Sequence, residues 1–319
     1  MNHPSFEEIT KASELIRPYI RQTVVIESTI INRLMHGHVF FKCEHQQKAG
    51  AFKFRGATHA VFRLDEEEAA KGVATHSSGN HGAALSLAAS FRGIDAHIVM
   101  PKNAPLVKVE NVRNSGGKIV FCEPTLQSRE DTLTEVVKDT GAVFIHPYDN
   151  YDVICGQGTA ALEMLRNTGE LDCVLAPVGG GGLLSGTSIA TKGLFAGCMV
   201  IGAEPENADD ACQSFHTGKV VPSVNPETIA DGLRTSLSDL TFSIIKKNVT
   251  DIFTVSEISI KAAMIMLRKH AGILAEPSSA VPMAAVMENR EFFEGKRIGI
   301  IITGGNIDTT KYDFWDAEF

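Results

Sequence analysis

Four consecutive glycines, Gly179 to Gly182 in PVGGGGLLSG, limit what this chain can fold into more than any other feature of it. Glycine loses more conformational freedom on folding than any other residue, so four together are expensive inside a compact protein. The run follows CVLAP, an apolar strand pattern, and precedes a helix-like stretch. A glycine loop in that position lets successive N–H groups converge and adds the positive end of the helix dipole, which is the geometry of an anion site. On the run alone, a flexible turn is the alternative. Two more glycine-rich loops also follow strand patterns: HSSGNHG (His76 to Gly82) and TGGN (Thr303 to Asn306).

The rest of the chain alternates in the same way. Ser5 and Glu8 form a capping-box pattern that opens a helix to about Ile16. Strand patterns occur at HVFFK, GVATHSS, AHIVMP, KIVFC, CVLAP, MVIGAEP and RIGIIIT. Helical spacing is read near 106–114, 127–138, 157–166, 257–270 and 278–289. Such alternation predicts βαβ units and an α/β fold: two open twisted sheets with flanking helices and a cleft between them. Residues 1–65 and 150–319 are expected to form a large domain and 66–149 a small, mobile one. Ligands in such folds bind beyond the carboxyl ends of the strands.

Composition narrows the function classes. Apolar residues make up 44% and charged residues 21%, which argues against a disordered chain or a coiled coil. A net charge of −8 gives no electrostatic footprint for nucleic acid. The apolar runs are too short to span a bilayer, so no membrane partner is expected. The acidic start, MNHPSFEEITKASELI, lacks the basic and apolar regions of a secretory signal. The six cysteines form no CxxC pair and read as small apolar residues, so a cytoplasmic location is expected.

Lys53 stands in QKAGAFKFRGA, between Phe52 and Phe54. It is either a snorkelling surface lysine or an amine whose pKa falls by desolvation, fit to act as nucleophile or base. GQGTAA (Gly156 to Ala161) matches a dinucleotide fingerprint, but the polar HPYDNYDVIC upstream is not the required strand. A nicotinamide oxidoreductase and a non-catalytic metabolite-binding protein are the rival classes.

GAFKFRGA around Lys53, SSGNHG, GGGGLLSG and TGGN, in that order, resemble the fold-type II pyridoxal-phosphate enzymes, which are built like tryptophan synthase β. The resemblance runs from about Phe40 to Asp308. Within that superfamily the chain is similar to serine racemases, 3-hydroxyaspartate dehydratases and threonine dehydratases. The resemblance implies pyridoxal 5'-phosphate in the interdomain cleft, joined to Lys53 as a Schiff base. Gly179, Gly180, Gly181, Gly182 and the Leu183 backbone would bind its phosphate. Asn80 would bond its phenolic oxygen, Phe52 would pack near the ring, and Thr303 would face the pyridine nitrogen. A hydroxyl there, rather than a carboxylate, leaves that nitrogen largely neutral. This suits loss of a β-hydroxyl or quick reprotonation and disfavours transamination.

The resemblance also implies a substrate site at Ser77, Ser78, Asn80 and His81, with the α-carboxylate against that loop. Threonine dehydratases usually carry alanine where this chain has Ser78. A serine on the face opposite Lys53 would supply the second proton donor that racemisation needs. Arg129 would pair with a distal carboxylate, whereas bare sequence reads it as a solvated helix residue beside Glu130 and Asp131. AEPENADD is similar to the divalent-cation site of serine racemases, with Glu204, the Ala208 carbonyl and Asp210 as oxygen ligands for magnesium, calcium or manganese. Without the family, an acidic helix start accounts for it.

The chain departs from its relatives at Val24, where proline is frequent, and at His45-Gln46. The segment near Val24 belongs to a nucleotide-effector site in some serine racemases, so ATP regulation is open. The expected activity is racemisation, β-elimination, or both, on small β-hydroxy amino acids, with serine and 3-hydroxyaspartate favoured. A plain L-threonine/L-serine dehydratase is the alternative. A homodimer is the family expectation.

Overall fold

The computed structural model describes residues 2–77 and 79–315. The chain runs α1 (Phe6–Ile16), β1 (Val25–Glu27), α2 (Thr29–Met35), β2 (His38–Cys43), α3 (Lys53–Arg63), α4 (Glu66–Ala70) and β3 (Val73–His76). Next come α5 (Asn80–Arg92), β4 (Ala96–Pro101), α6 (Leu106–Asn114), β5 (Lys118–Cys122), α7 (Leu126–Thr140), β6 (Val143–Phe144) and α8 (Tyr151–Thr168). The remainder is β7 (Cys173–Pro177), α9 (Gly182–Leu194), β8 (Met199–Pro205), α10 (Asp210–Thr217), α11 (Asp239–Asn248), β9 (Asp251–Val255), α12 (Glu257–Ala271), α13 (Pro277–Glu288), α14 (Arg290–Phe293) and β10 (Arg297–Ile302).

Two sheets result. One has the order β5-β4-β3-β6 and is parallel throughout. The other has the order β1-β2-β10-β7-β8-β9, parallel except for the β1–β2 pair. Ile298, Ile300, Ile301 and Ile302 of β10 are fully buried on both faces, as expected where helices cover a parallel sheet on both sides. α1 begins at the expected box: the Ser5 hydroxyl accepts from Glu8 N–H, and the Glu8 carboxylate accepts from Ser5 N–H. α8 starts six residues before the 157–166 reading. Asn150 caps it, accepting from Val153 N–H at 2.9 Å, so the polar stretch before the apolar face is helical too.

The glycines of GQGTAA lie inside α8 and are helix contact points. A Cβ on Gly156 would stand 2.6 Å from the Arg55 carbonyl on α3. One on Gly158 would stand 2.7 Å from the Gly186 carbonyl on α9. The α3–α8 contact is also gripped by an ion network in which Lys42, Glu44 and Arg55 are fully buried and Glu163 nearly so. Arg55 donates to both Glu44 oxygens, at 2.7 and 2.8 Å, and to both Glu163 oxygens, at 2.8 Å each. Lys42 joins it through Glu163 at 2.8 Å and the Thr23 carbonyl at 2.7 Å. The two cations and two carboxylates offset one another, which is the condition for burying such charges. Five of the six cysteines are buried, and burial pushes the Cys43, Cys173 and Cys198 thiols up to about 12. Among the described residues no helix is long and apolar enough to cross a membrane.

Candidate active site

The four glycines turn the chain from β7 into α9, with Gly181 at φ +83°. The backbone N–H groups from Gly179 through Leu184 donate to no acceptor among the described residues; the first that does is Ser185, to the Gly181 carbonyl at 2.9 Å. All six of those residues are buried. Unpaired buried amides are rare in folded proteins, so a cluster of them at a helix start calls for an anion. Tyr148 walls the loop. A Cβ on Gly180 would fall 2.3 Å from its ring, and one on Gly182 would fall 2.9 Å from its Cβ.

Pro147, the residue before Tyr148, meets the amine of the site. Lys53 is the first residue of α3, and its Nζ donates to the Pro147 carbonyl at 2.9 Å. The segment 147–148 therefore bridges Lys53 and the glycine loop. Burial lowers the amine from its usual range to about 8. Lys53 has no carboxylate partner within salt-bridge distance among the described residues. Lys42, which is fully buried, is compensated by Glu163, so the two lysines play different parts. Phe52 sets its ring 5.2 Å from the Lys53 amine.

Thr303 follows β10 and meets the same segment, its carbonyl accepting from Phe52 N–H at 2.8 Å. Its hydroxyl is buried and shares a 2.8 Å hydrogen bond with Ser279. Ser279 also accepts from Gly304 N–H at 2.8 Å. Asn80, the first residue of α5, comes from the other side. Its Nδ2 donates to Glu276, 3.0 Å from each carboxylate oxygen. Ser279, Glu276 and Tyr148 were missed in the sequence. AEPSSA reads as an ordinary proline-started helix, and HPYDN as a polar linker.

The HSSGNHG loop is placed in part. Ser77 accepts from Gly79 N–H at 3.3 Å. Ser78 lies outside the described residues. The His81 ring is buried, its Nε2 3.2 Å from the Ile145 carbonyl, and burial drives it down to about 3, so it stays neutral. Arg129, on α7, is half-buried, and its Nε is shielded from water without a partner. His76 is held below its usual range by burial, with Glu130 opposing and Arg129 adding to the effect. The rings of His76 and His146 lie 6.1 Å apart, and His146 meets Tyr148 edge-on at 4.6 Å.

Behind the glycine loop, Glu204 is the last residue but one of β8 and Asp210 begins α10. The Glu204 carboxylate accepts from Ala211 N–H at 3.1 Å and Cys212 N–H at 2.9 Å, yet burial still pushes it up to about 9. Both Asp210 oxygens are buried without a partner, and burial pushes that carboxyl up to about 6. Ala208 is buried beside them. Among the described residues no three His, Cys, Asp or Glu side chains are grouped to hold a metal. The acidic pair therefore reaches three protein ligands only if a backbone carbonyl is counted.

An amine with no carboxylate partner among the described residues, a glycine anion cradle and a buried hydroxyl around one site fit pyridoxal phosphate, whose aldehyde, phosphate and pyridine nitrogen need those three partners. The family described as pyridoxal-phosphate dependent enzyme matches residues 16–304, and the chain belongs to it. It is 50% identical over 308 residues to the β-hydroxyaspartate dehydratase of Paracoccus denitrificans, covering 97% of this chain and 98% of that protein. It is 47% identical over 314 residues to the serine racemase of Arabidopsis thaliana, covering 97% and 94%. Among solved structures, maize serine racemase superposes with a TM-score of 0.95 at 43% identity, covering 97% of this chain and 96% of that one.

Proposed function

We propose that this enzyme racemises and dehydrates small β-hydroxy amino acids, with serine and 3-hydroxyaspartate as its substrates. The observation that carries the reading is the Lys53 amine: half-buried, lowered by desolvation to about 8, without a carboxylate partner among the described residues and one residue removed from the wall of the glycine cradle. Lys53 is the attachment point for pyridoxal phosphate, and the amides of Gly179 to Leu183 hold the phosphate. Phe52 would pack near the ring, Thr303 would face the pyridine nitrogen, and Asn80 the phenolic oxygen. When bound, the cofactor withdraws electrons from the substrate's Cα and acidifies its C–H bond.

The side chains do the rest. The α-carboxylate lies against Ser77, Ser78, Asn80 and His81, where backbone N–H groups at the start of α5 favour an anion. The Lys53 amine, when free, would remove the Cα proton. An amine with a pKa near 8 exists partly as free base at neutral pH, which an ordinary lysine does not. Ser78 delivers a proton to the opposite face, giving the other enantiomer. Where the β-hydroxyl leaves instead, hydrolysis yields a keto acid and ammonia. The unpartnered Nε of Arg129 supports a dicarboxylate substrate, because a half-buried guanidinium lacking a counter-ion attracts one.

The buried, unpaired oxygens of Asp210 support a divalent cation held with Glu204 and the Ala208 carbonyl. Magnesium, calcium and manganese all suit oxygen ligands. The division into 66–149 and the remainder, a homodimer and a cytoplasmic location belong to the same reading. The deciding experiment presents L-serine, D-serine, L-threonine and the 3-hydroxyaspartate stereoisomers to the holoenzyme. Keto-acid release from 3-hydroxyaspartate together with D-serine formed from L-serine supports the reading. Activity confined to L-threonine and L-serine, with no racemisation, replaces it with the plain dehydratase.

A further inference from the structure

The TGGN turn ends in Asn306, a residue with no part in the account so far. Its Nδ2 donates to the Ala49 carbonyl at 2.9 Å and to Asn80 Oδ1 at 2.8 Å. Its backbone N–H donates to Glu276 at 3.1 Å. The loop before Lys53 is shaped around this side chain: a Cβ on Gly50, at φ +72°, would fall 2.2 Å from Asn306 Oδ1. The Asn80 amide is therefore held at both ends. Its oxygen meets the Asn306 NH2 group, which only donates. Its nitrogen meets the Glu276 carboxylate, which only accepts when ionised.

A primary amide has nearly the same shape when flipped, so its partners alone decide which end is oxygen. Here the flipped amide would set oxygen against carboxylate and NH2 against NH2. One Nδ2 hydrogen is engaged by Glu276, which leaves the other for a ligand. We infer that Glu276 and Asn306 are positioning residues: with Glu276 ionised, they fix the polarity of the Asn80 amide so that it offers the cofactor's phenolic oxygen an N–H rather than its own oxygen. Burial pushes the Glu276 carboxyl up to about 7, with Asp231 raising it further and Asn80 and Lys108 opposing. Glutamine would occupy the same volume without a buried charge, but its NH2 group would permit the flipped amide. The inference rests on the reading that Asn80 faces the cofactor.

The test uses the holoenzyme, with cofactor affinity and the visible absorption band as readouts, alongside thermal melting of the cofactor-free protein. Asn306→Asp and Glu276→Gln should each weaken cofactor binding by about tenfold, the scale of one hydrogen bond, and shift the band. The double variant E276Q/N306D keeps the net charge and pairs the flipped amide at both ends. It should melt above N306D, while its cofactor affinity stays at least about tenfold below wild type. Wild-type affinity and band in either single variant would overturn the inference. So would a double variant that recovers affinity along with stability, or one that recovers neither. Asn80→Ala separates the underlying reading: if it leaves affinity and band unchanged, Asn80 does not face the cofactor. If it alters them while both single variants do not, only the polarity lock fails.

Discussion

Replacing Gly180 by alanine tests the cradle. The added methyl would lie 2.3 Å from one Tyr148 ring carbon and 2.4 Å from two others. Carbon contacts settle at about 3.5–4.0 Å, so the overlap exceeds about 1 Å and cannot be absorbed by vibration. The Tyr148 ring packs edge-on against the His146 ring at 4.6 Å, which opposes its swinging away. Gly180 does not have a positive φ, so the backbone itself accepts alanine and the penalty is steric. Overpacking of this kind costs about 1–3 kcal/mol. Spent on cofactor binding, that is roughly a 5- to 150-fold loss of affinity. Cofactor titration by absorbance and melting of the cofactor-free protein measure the two shares. In a Tyr148→Ala background the three contacting ring atoms are gone, and the G180A penalty should fall below about 1 kcal/mol, a coupling that a double-mutant cycle isolates. A penalty that is equal with and without the ring, or wild-type cofactor affinity in G180A, refutes the steric reasoning.

Arg129→Ala should cost 3-hydroxyaspartate about 2–5 kcal/mol in kcat/KM and serine far less, since only the former carries a distal carboxylate. Equal losses place Arg129 in general cleft architecture. In the cation-free protein burial holds Glu204 near 9 and Asp210 near 6, so a bound cation must displace protons. Mg²⁺ or Mn²⁺ affinity, followed by calorimetry, should therefore rise about tenfold per pH unit between pH 6 and 9. Asp210→Ala should abolish the cation's effect on thermal stability, and an unchanged response removes the site. Arg55→Met leaves Glu44 and Glu163 facing each other in the buried network. It should lower stability by about 3–5 kcal/mol in urea unfolding, and a loss under about 1 kcal/mol contradicts the network's role.

The sequence carried most of the frame. Glycine loops after apolar strands marked the cleft, since only a backbone approached closely by something else tolerates Gly179 to Gly182. The buried strands of both sheets were visible as apolar runs. β1, β6 and β9 were not, because strands this short or polar at alternate positions look like loops until a neighbour pairs them. Lys53 stood out through its aromatic flanks, but its difference from Lys42 is a matter of partners, and partners from distant segments leave no local trace. The same holds for Glu276 and Ser279, which sit at an ordinary helix start in sequence and meet Asn80, Thr303 and Gly304 only in three dimensions. GQGTAA shows the converse. Its glycines follow a nucleotide-loop spacing, yet the helix they sit in uses them to approach α3 and α9.

The most direct test of the account is the site of cofactor attachment. Borohydride reduction of the holoenzyme, followed by proteolysis and mass spectrometry, should place a single phosphopyridoxyl group on the peptide containing Lys53 and abolish the visible absorption band. A label on Lys42 or on any other lysine, or no label at all in protein that still releases keto acid from 3-hydroxyaspartate, contradicts it.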